Sequence, residues 1–114
     1  MAYTGVATDN PVLESIRFSG NVPGSRTGRI FYHTTVTLSP ASVAANTTAE
    51  QTFTVSGVAI GDVVFINKPT TQAGLGIVGV RVSAANQIAI NFGNFTASPI
   101  VPTASQVYQI GGIR

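Results

Sequence analysis

Residues 51–94 read QTFTVSGVAIGDVVFINKPTTQAGLGIVGVRVSAANQIAINFGN and alternate apolar with polar side chains at a period of two. That period belongs to a strand with one face turned to a core. In 51–55, Phe53 and Val55 point one way and Thr52 and Thr54 the other. In 77–83, Val78, Val80 and Val82 share a face, against Ile77, Gly79 and Arg81. In 87–94, Ile88, Ile90 and Phe92 alternate with Gln87, Ala89 and Asn91. Ala84-Ala85-Asn86 between those two runs predicts a hairpin with Asn86 left-handed, a conformation Asn tolerates better than most residues. Residues 63–67, VVFIN, are apolar on both faces and predict a central strand covered from both sides.

The flanks extend the pattern. Residues 29–38, RIFYHTTVTL, place Ile30, Tyr32, Thr34, Val36 and Leu38 on one face, in a segment rich in β-branched and aromatic residues. Pro40 ends it, and 41–50 is small, polar and read as loop. Val58 and Ile60 tuck beneath a bend at 57–61. Ile100 and Val101 anchor a connection marked by Pro99 and Pro102. A last strand spans 106–110, and Gly111-Gly112-Ile113-Arg114 reads as a tail. Gly5, Pro11, Gly20, Pro23, Gly24 and Gly28 break up residues 1–28, so this part is expected to be an extended arm. Within the arm, 15–19 forms a short strand with Ile16 and Phe18 inward. The expectation is a single all-β domain, a sandwich or barrel-like fold of about seven short antiparallel strands. The arm covers 1–28 and the body 29–114.

Length and charge bound the function. A chain of 114 residues suits one domain with a real core. Charged residues make up only 9%, and a lone soluble protein normally keeps a far more charged surface. The expectation is that other protein chains cover part of this one. The strands at 51–55 and 106–110 carry none of the charges that discourage edge pairing, so each is paired within the domain or covered by another subunit. The net charge is +2, but the basic residues are scattered and form no stripe of the kind nucleic acid requires. There are no cysteines, which excludes disulfides and thiolate metal sites. The start, MAYTGVATDN, lacks the marks of a secretory signal, and no apolar run reaches the length of a membrane span. The chain is expected to be made and used in soluble form.

No catalytic constellation appears. His33 is the only histidine, and Asp9, Glu14, Glu50 and Asp62 are the only carboxylates. A triad needs an orienting carboxylate and a nucleophile, and a zinc site needs three or four ligands. His33 therefore reads as a surface or interface residue. Glu50 and Asp62 are the one pair worth testing as opposed carboxylates. Gly74-Leu75-Gly76 opens a strand, not the helix a phosphate loop requires, and reads as a turn. Asn46-Thr47-Thr48 and Asn94-Phe95-Thr96 match the glycosylation sequon, which matters only in a secretory pathway. The chain is read as a non-enzyme without cofactor or metal.

Several segments carry a resemblance. They are Gly61-Asp62-Val63-Val64, Asn67-Lys68-Pro69, Gln72-Ala73-Gly74-Leu75-Gly76-Ile77, Arg81-Val82-Ser83-Ala84-Ala85-Asn86, Ile90-Asn91-Phe92 and Pro102-Thr103-Ala104. Together they resemble a module of small virion proteins of tailed bacteriophages, most like a capsid decoration, or cement, protein. The resemblance covers nearly half the chain. It implies a β-rich body on the outer surface of the capsid, made in the host bacterial cytoplasm. It implies that the body stabilises the shell by bridging major capsid subunits and associates with copies of itself, often as a homotrimer. It brings no catalytic residue, nucleic-acid partner or membrane partner. Contacts are expected from Arg17, Arg26 and Arg29 in and beside the arm, and from Lys68 and Gln72 in the loop 68–76. The alternative is a fibre or adhesion module that binds host-surface glycan through an aromatic platform, drawn from Tyr3, Tyr32, Tyr108 and the phenylalanines.

Overall fold

A computed structural model of the chain describes Ser15–Phe18 and residues 29–114, with side chains from residue 30 onward. The strands are β1 (Ser15–Phe18), β2 (Arg29–Leu38), β3 (Thr47–Thr54), β4 (Val63–Asn67), β5 (Leu75–Ala84), β6 (Gln87–Asn94) and β7 (Gln106–Ile113). No helix occurs among the described residues. The strands form two antiparallel sheets, ordered β1-β2-β7-β4 and β3-β6-β5. The fold is all-β, as the period of two requires.

The core lies between the sheets. Leu38, Tyr108 and Ile110 come from one sheet and Ile88, Ile90 and Phe92 from the other, with Val43, Val55 and Val58 from connections. The predicted faces of β2 hold: Ile30, Tyr32, Thr34 and Val36 are half-buried and Leu38 is buried, whereas Phe31, His33, Thr35 and Thr37 are exposed. Central strand β6 is buried on both faces, Ala89 included. Arg81 stands beside Ala89 on β5, and Glu50 stands beside Asn91 on β3. Their side chains meet across β6, Arg81 Nε and Nη2 donating to Glu50 Oε2 and Oε1, both at 2.9 Å.

Several expectations are corrected. β4 is an edge strand of its sheet, not a central one, and Val63 and Phe65 are 60% and 52% exposed. An apolar run alone does not distinguish a doubly covered strand from an edge strand with an apolar outer face. In β5 a bulge between Ile77 and Gly79 inserts one residue. Ile77 thereby joins Val80 and Val82 on the core side, and Val78 is turned out to solvent. β3 begins at Thr47, inside the predicted loop, because the pairing of Thr47–Thr54 with β6 overrides a weak local pattern. Ile60 and Val101 are exposed, not tucked in. The register sets Ile16 opposite Phe31 and Phe18 opposite Arg29. Asn86 is left-handed as predicted, with φ 60°, but the loop is shorter because Ala84 pairs with Gln87. The other residues of 1–28 lie outside the described residues, so the predicted arm is described only at Ser15–Phe18.

The largest correction is at β7. The predicted tail is strand: Gly111 and Gly112 pair with His33 and Tyr32 on one side and with Phe65 and Val64 on the other. A Cβ on Gly112 would collide with the Tyr32 ring, and one on Gly111 would lie 3.0 Å from Phe65 Cδ2. Glycine is depleted in strands unless something approaches closely. Here an aromatic ring approaches each of the two.

Tyr32 leads to an ion pair that ties down this end of the fold. Its hydroxyl donates to Asp62 Oδ2 at 2.6 Å. Arg114 Nε and Nη2 donate to Asp62 Oδ1 and Oδ2, both at 3.0 Å, and the Ala59 N–H donates to Oδ2 at 3.0 Å. Arg114 Nη2 also donates to the Gly57 carbonyl at 2.6 Å. The Asp62 side chain is only 2% exposed. Hydrogen bonds from Arg114 outweigh burial and hold its carboxyl at about 2, against an ordinary 3.8. Burial, then the hydrogen bond to Asp62, pushes the Tyr32 phenol up to about 12.

These shifts fix the pH response. The folded Asp62 value lies below its unfolded one, so its contribution is complete above 3.8 and is lost as pH falls towards 2. It amounts to about 2 kcal/mol. The folded Tyr32 value lies above its unfolded one, so its contribution is complete below 10 and is lost as pH rises towards 12. Thermal melts of Asp62→Asn are expected to be less stable at neutral pH and nearly flat across the acid window where the parent protein loses stability. An acid limb identical to the parent's would refute this assignment. The Tyr108 hydroxyl is buried without a hydrogen-bond partner among the described residues. Tyr108→Phe is therefore expected to leave the melting temperature unchanged or to raise it, since it removes an unsatisfied group at constant shape. A loss above about 1 kcal/mol would reveal a hidden partner.

Candidate subunit-contact surface

Three connections meet at the opposite end of the two sheets: 39–46, 68–74 and 95–105. Short polar runs of this kind stay ordered only when their backbone groups find partners. Asn94, the last residue of β6, supplies several. Its side chain is fully buried. Nδ2 donates to the carbonyls of Val43 at 3.1 Å and Ser98 at 2.8 Å. Oδ1 accepts from the Thr96 N–H at 2.9 Å and lies 2.7 Å from the Thr96 hydroxyl. Backbone bonds complete the frame, with Val43 and Ile100 exchanging N–H and C=O, Asn46 N–H reaching Thr96 O, and Phe95 N–H reaching Gly74 O.

Apolar side chains stand out from this frame. Phe95 is 67% exposed and Val101 58%. The Phe95 ring lies over Gly93, where an added Cβ would sit 2.8 Å from Cζ, and it also borders Gly76. Val78 flanks Gly93 from the bulge in β5. Beside Phe95 is an open depression of about 320 Å³ lined by Asn46, Thr47, Thr48 and Asn94. A second, of about 140 Å³, lies over Lys68, Thr70, Gln72 and Leu75.

Two of the five predicted contact residues belong to this end. The Lys68 ammonium donates to the Thr70 carbonyl at 2.8 Å, and burial lowers its pKa. Gln72 spans two connections: Nε2 donates to Val101 O at 3.0 Å and Oε1 accepts from Thr103 N–H at 2.9 Å. Gln72 thus holds Val101 in place, with its amide already engaged. Arg17 and Arg29 are placed only as strand positions, Arg17 opposite Ile30 and Arg29 opposite Phe18. Arg26 lies outside the described residues. Sequence reading offered Phe95 only among the phenylalanines of a glycan platform and took Val101 as an anchor. The available signal was Asn94-Phe95-Thr96, read as a sequon, in which the asparagine amide is in fact buried and fully used.

The groups weighed for chemistry are occupied elsewhere. Glu50 is held ionised chiefly by hydrogen bonds from Arg81, and Asp62 by those from Arg114. The two carboxylates thus serve separate ion pairs and do not face each other. His33 Nε2 lies 3.2 Å from Gln109 Oε1 on the exposed face of β2 and β7. Among the described residues no three His, Asp or Glu side chains gather. Of the proposed aromatic platform, Tyr108 is buried and Tyr32 is bonded to Asp62. The site offers shape and apolar contact on a hydrogen-bonded frame.

Replacing Asn94 by Ala removes four hydrogen bonds and leaves the part-buried Thr96 N–H without its partner, while the Val43 and Ser98 carbonyls keep the Ile100 N–H and the Thr96 hydroxyl. An unsatisfied group costs about 1–3 kcal/mol. Asn94→Ala is expected to lose at least about 2 kcal/mol in denaturant titration, with amide exchange accelerated first in 95–100. An unchanged midpoint would show that the frame does not depend on this side chain. Comparison with known proteins finds no matching family model, no matching curated protein and no matching solved structure.

Proposed function

We propose that this chain is a structural virion protein that decorates the outer surface of a tailed-phage capsid and stabilises it by bridging major capsid subunits, without catalysis. In this reading residues 29–114 are a β-sandwich body, residues 1–28 an arm laid along neighbouring subunits, and the assembled form a homotrimer. The observation that carries it is the loop end, where Phe95 and Val101 are exposed on a frame already hydrogen-bonded by Asn94 and Gln72. A preorganised apolar end loses little entropy on docking. Several such contacts on one shell raise the effective concentration of each, so individually weak ones hold. The resemblance described above supplies the identity of the partner.

One observation favours a second reading. Phe95 borders a depression that also presents Asn46, Thr47 and Thr48, an aromatic face beside amide and hydroxyl groups, which suits a sugar. The ligand discriminates the two. On the first reading the protein cosediments with assembled, expanded shells and raises their melting temperature. Phe95→Ser with Val101→Ser is expected to weaken that binding at least about tenfold, which is about 1.4 kcal/mol, with an unchanged circular dichroism spectrum. Deleting residues 1–28 is expected to weaken it as well. Full-strength binding by the double variant would remove the loop end from the contact. Binding to a glycan array, lost in Phe95→Ala, with none to shells would replace the first reading by the second.

A further inference from the structure

We propose that the depression beside Lys68 receives the carboxylate side chain of an aspartate or glutamate on the protein partner, with Lys68 as its counter-ion. The proposal rests on the capsid-decoration reading above and names the chemistry the shell presents at this point.

Charge pairing singles out Lys68. Among the described residues Arg81 is paired with Glu50, and Arg114 with Asp62. No described carboxylate reaches Lys68. Its ammonium makes one hydrogen bond, to the Thr70 carbonyl at 2.8 Å, out of the three an ammonium can donate. Nor is it a loose surface lysine. It stands two positions beyond Ile66, follows the half-buried row of β4, and is half-buried itself. Burial lowers its pKa, with no opposite charge to offset the effect. A cation drawn out of water without an anion is costly, and an arriving anion relieves that cost.

The shape and lining of the depression select the anion. It measures about 140 Å³, and Lys68 shares its walls with Thr70, Thr71, Leu75 and Ile77. At roughly 30 Å³ for each water-sized group, it takes about four or five heavy atoms, the size of an aspartate or glutamate side chain. Leu75 and Ile77 suit methylene groups, and the ammonium with two threonine hydroxyls suits a carboxylate. One cation matches one negative charge. A phosphate group would bring more charge than Lys68 neutralises, and an uncharged side chain would leave the ammonium covered and unpaired.

The depression also adjoins the apolar contact proposed above. Gln72, in its wall, holds the Val101 carbonyl, and Gly76, also in its wall, borders the Phe95 ring. A partner that covers Phe95 and Val101 thereby closes the mouth of the depression. Exclusion of water strengthens the ion pair, and a single part-buried pair adds only a shallow salt dependence.

Lys68→Met keeps most of the side chain and removes the charge. It is expected to melt no lower than the unmodified protein and to bind expanded shells at least about tenfold more weakly, equivalent to about 1.4 kcal/mol. Lys68→Glu is expected to bind more weakly still. A role in packing alone would survive the change to methionine. A second measurement uses the unmodified protein without shells. In nuclear magnetic resonance titrations at constant ionic strength, N-acetylglutamate α-amide is expected to shift the side-chain signals of Lys68 and Thr71. N-acetylglutamine α-amide, of the same shape without the charge, is expected to leave them in place. An equal response to the two amides, or none, overturns the proposal. So does a response to inorganic phosphate or to methyl glucuronide with none to the glutamate amide. Full-strength shell binding by Lys68→Met, alongside loss in Phe95→Ser with Val101→Ser, overturns it and leaves the proposed function standing. A charge-dependent response to the glutamate amide by a protein that ignores shells keeps the carboxylate site and removes the proposed function.

Discussion

Two adjacent glycines at the end of β7 leave room for two aromatic rings. Gly112 receives the ring of Tyr32, and Gly111 borders that of Phe65. A side chain at Gly112 would displace the Tyr32 ring from Asp62, and one at Gly111 would push the Phe65 ring aside by a few tenths of an ångström. Glycine costs conformational entropy in a strand, and the area of two aromatic rings offsets that cost. Everything beyond β7 follows from this closeness. Tyr32 is set where its hydroxyl meets Asp62, and Ile113 is held in register so that Arg114 arrives at the same carboxylate. A backbone vacancy thus positions the one nearly buried ion pair of the described residues.

Much of this fold was legible in the sequence, for one physical reason. Where one face of a strand meets the core and the other meets water, alternation records it, and β2 and β6 were read correctly from alternation alone. Asn86 was legible because few residues accept its conformation. The errors arose where something other than alternation decided. The bulge in β5 shifts parity between Ile77 and Gly79, and no composition marks a bulge. β4 reads as central because an outer face of Val63 and Phe65 is as apolar as an inner one. Gly111 and Gly112 read as a tail because glycine normally ends a strand. Their partners, Tyr32 and Phe65, are about 80 and 46 residues away in sequence, beyond what local pattern carries.

The candidate contact surface was legible only in part. Lys68 and Gln72 were chosen for lying in a polar loop, and the structure gives Gln72 a different task, holding Val101. Phe95 and Val101 were not read as shell contacts because an apolar residue next to Asn or Pro in a connection is ordinarily an anchor. Here Asn94 provides the anchoring, which leaves the apolar side chains free to face outward. The division of labour is general for loops that bind: polar side chains hold the backbone, and apolar ones remain available.

The pairing of Arg81 with Glu50 and of Arg114 with Asp62 inside a single chain has a consequence for adhesion. Electrolyte acts by screening charges that face each other across a gap. An apolar contact of the kind Phe95 and Val101 could make leaves little for it to screen. Such a joint is held by the exclusion of water, and strongly hydrated anions such as sulfate tighten that kind of joint. A joint of that kind would change little between low and high salt.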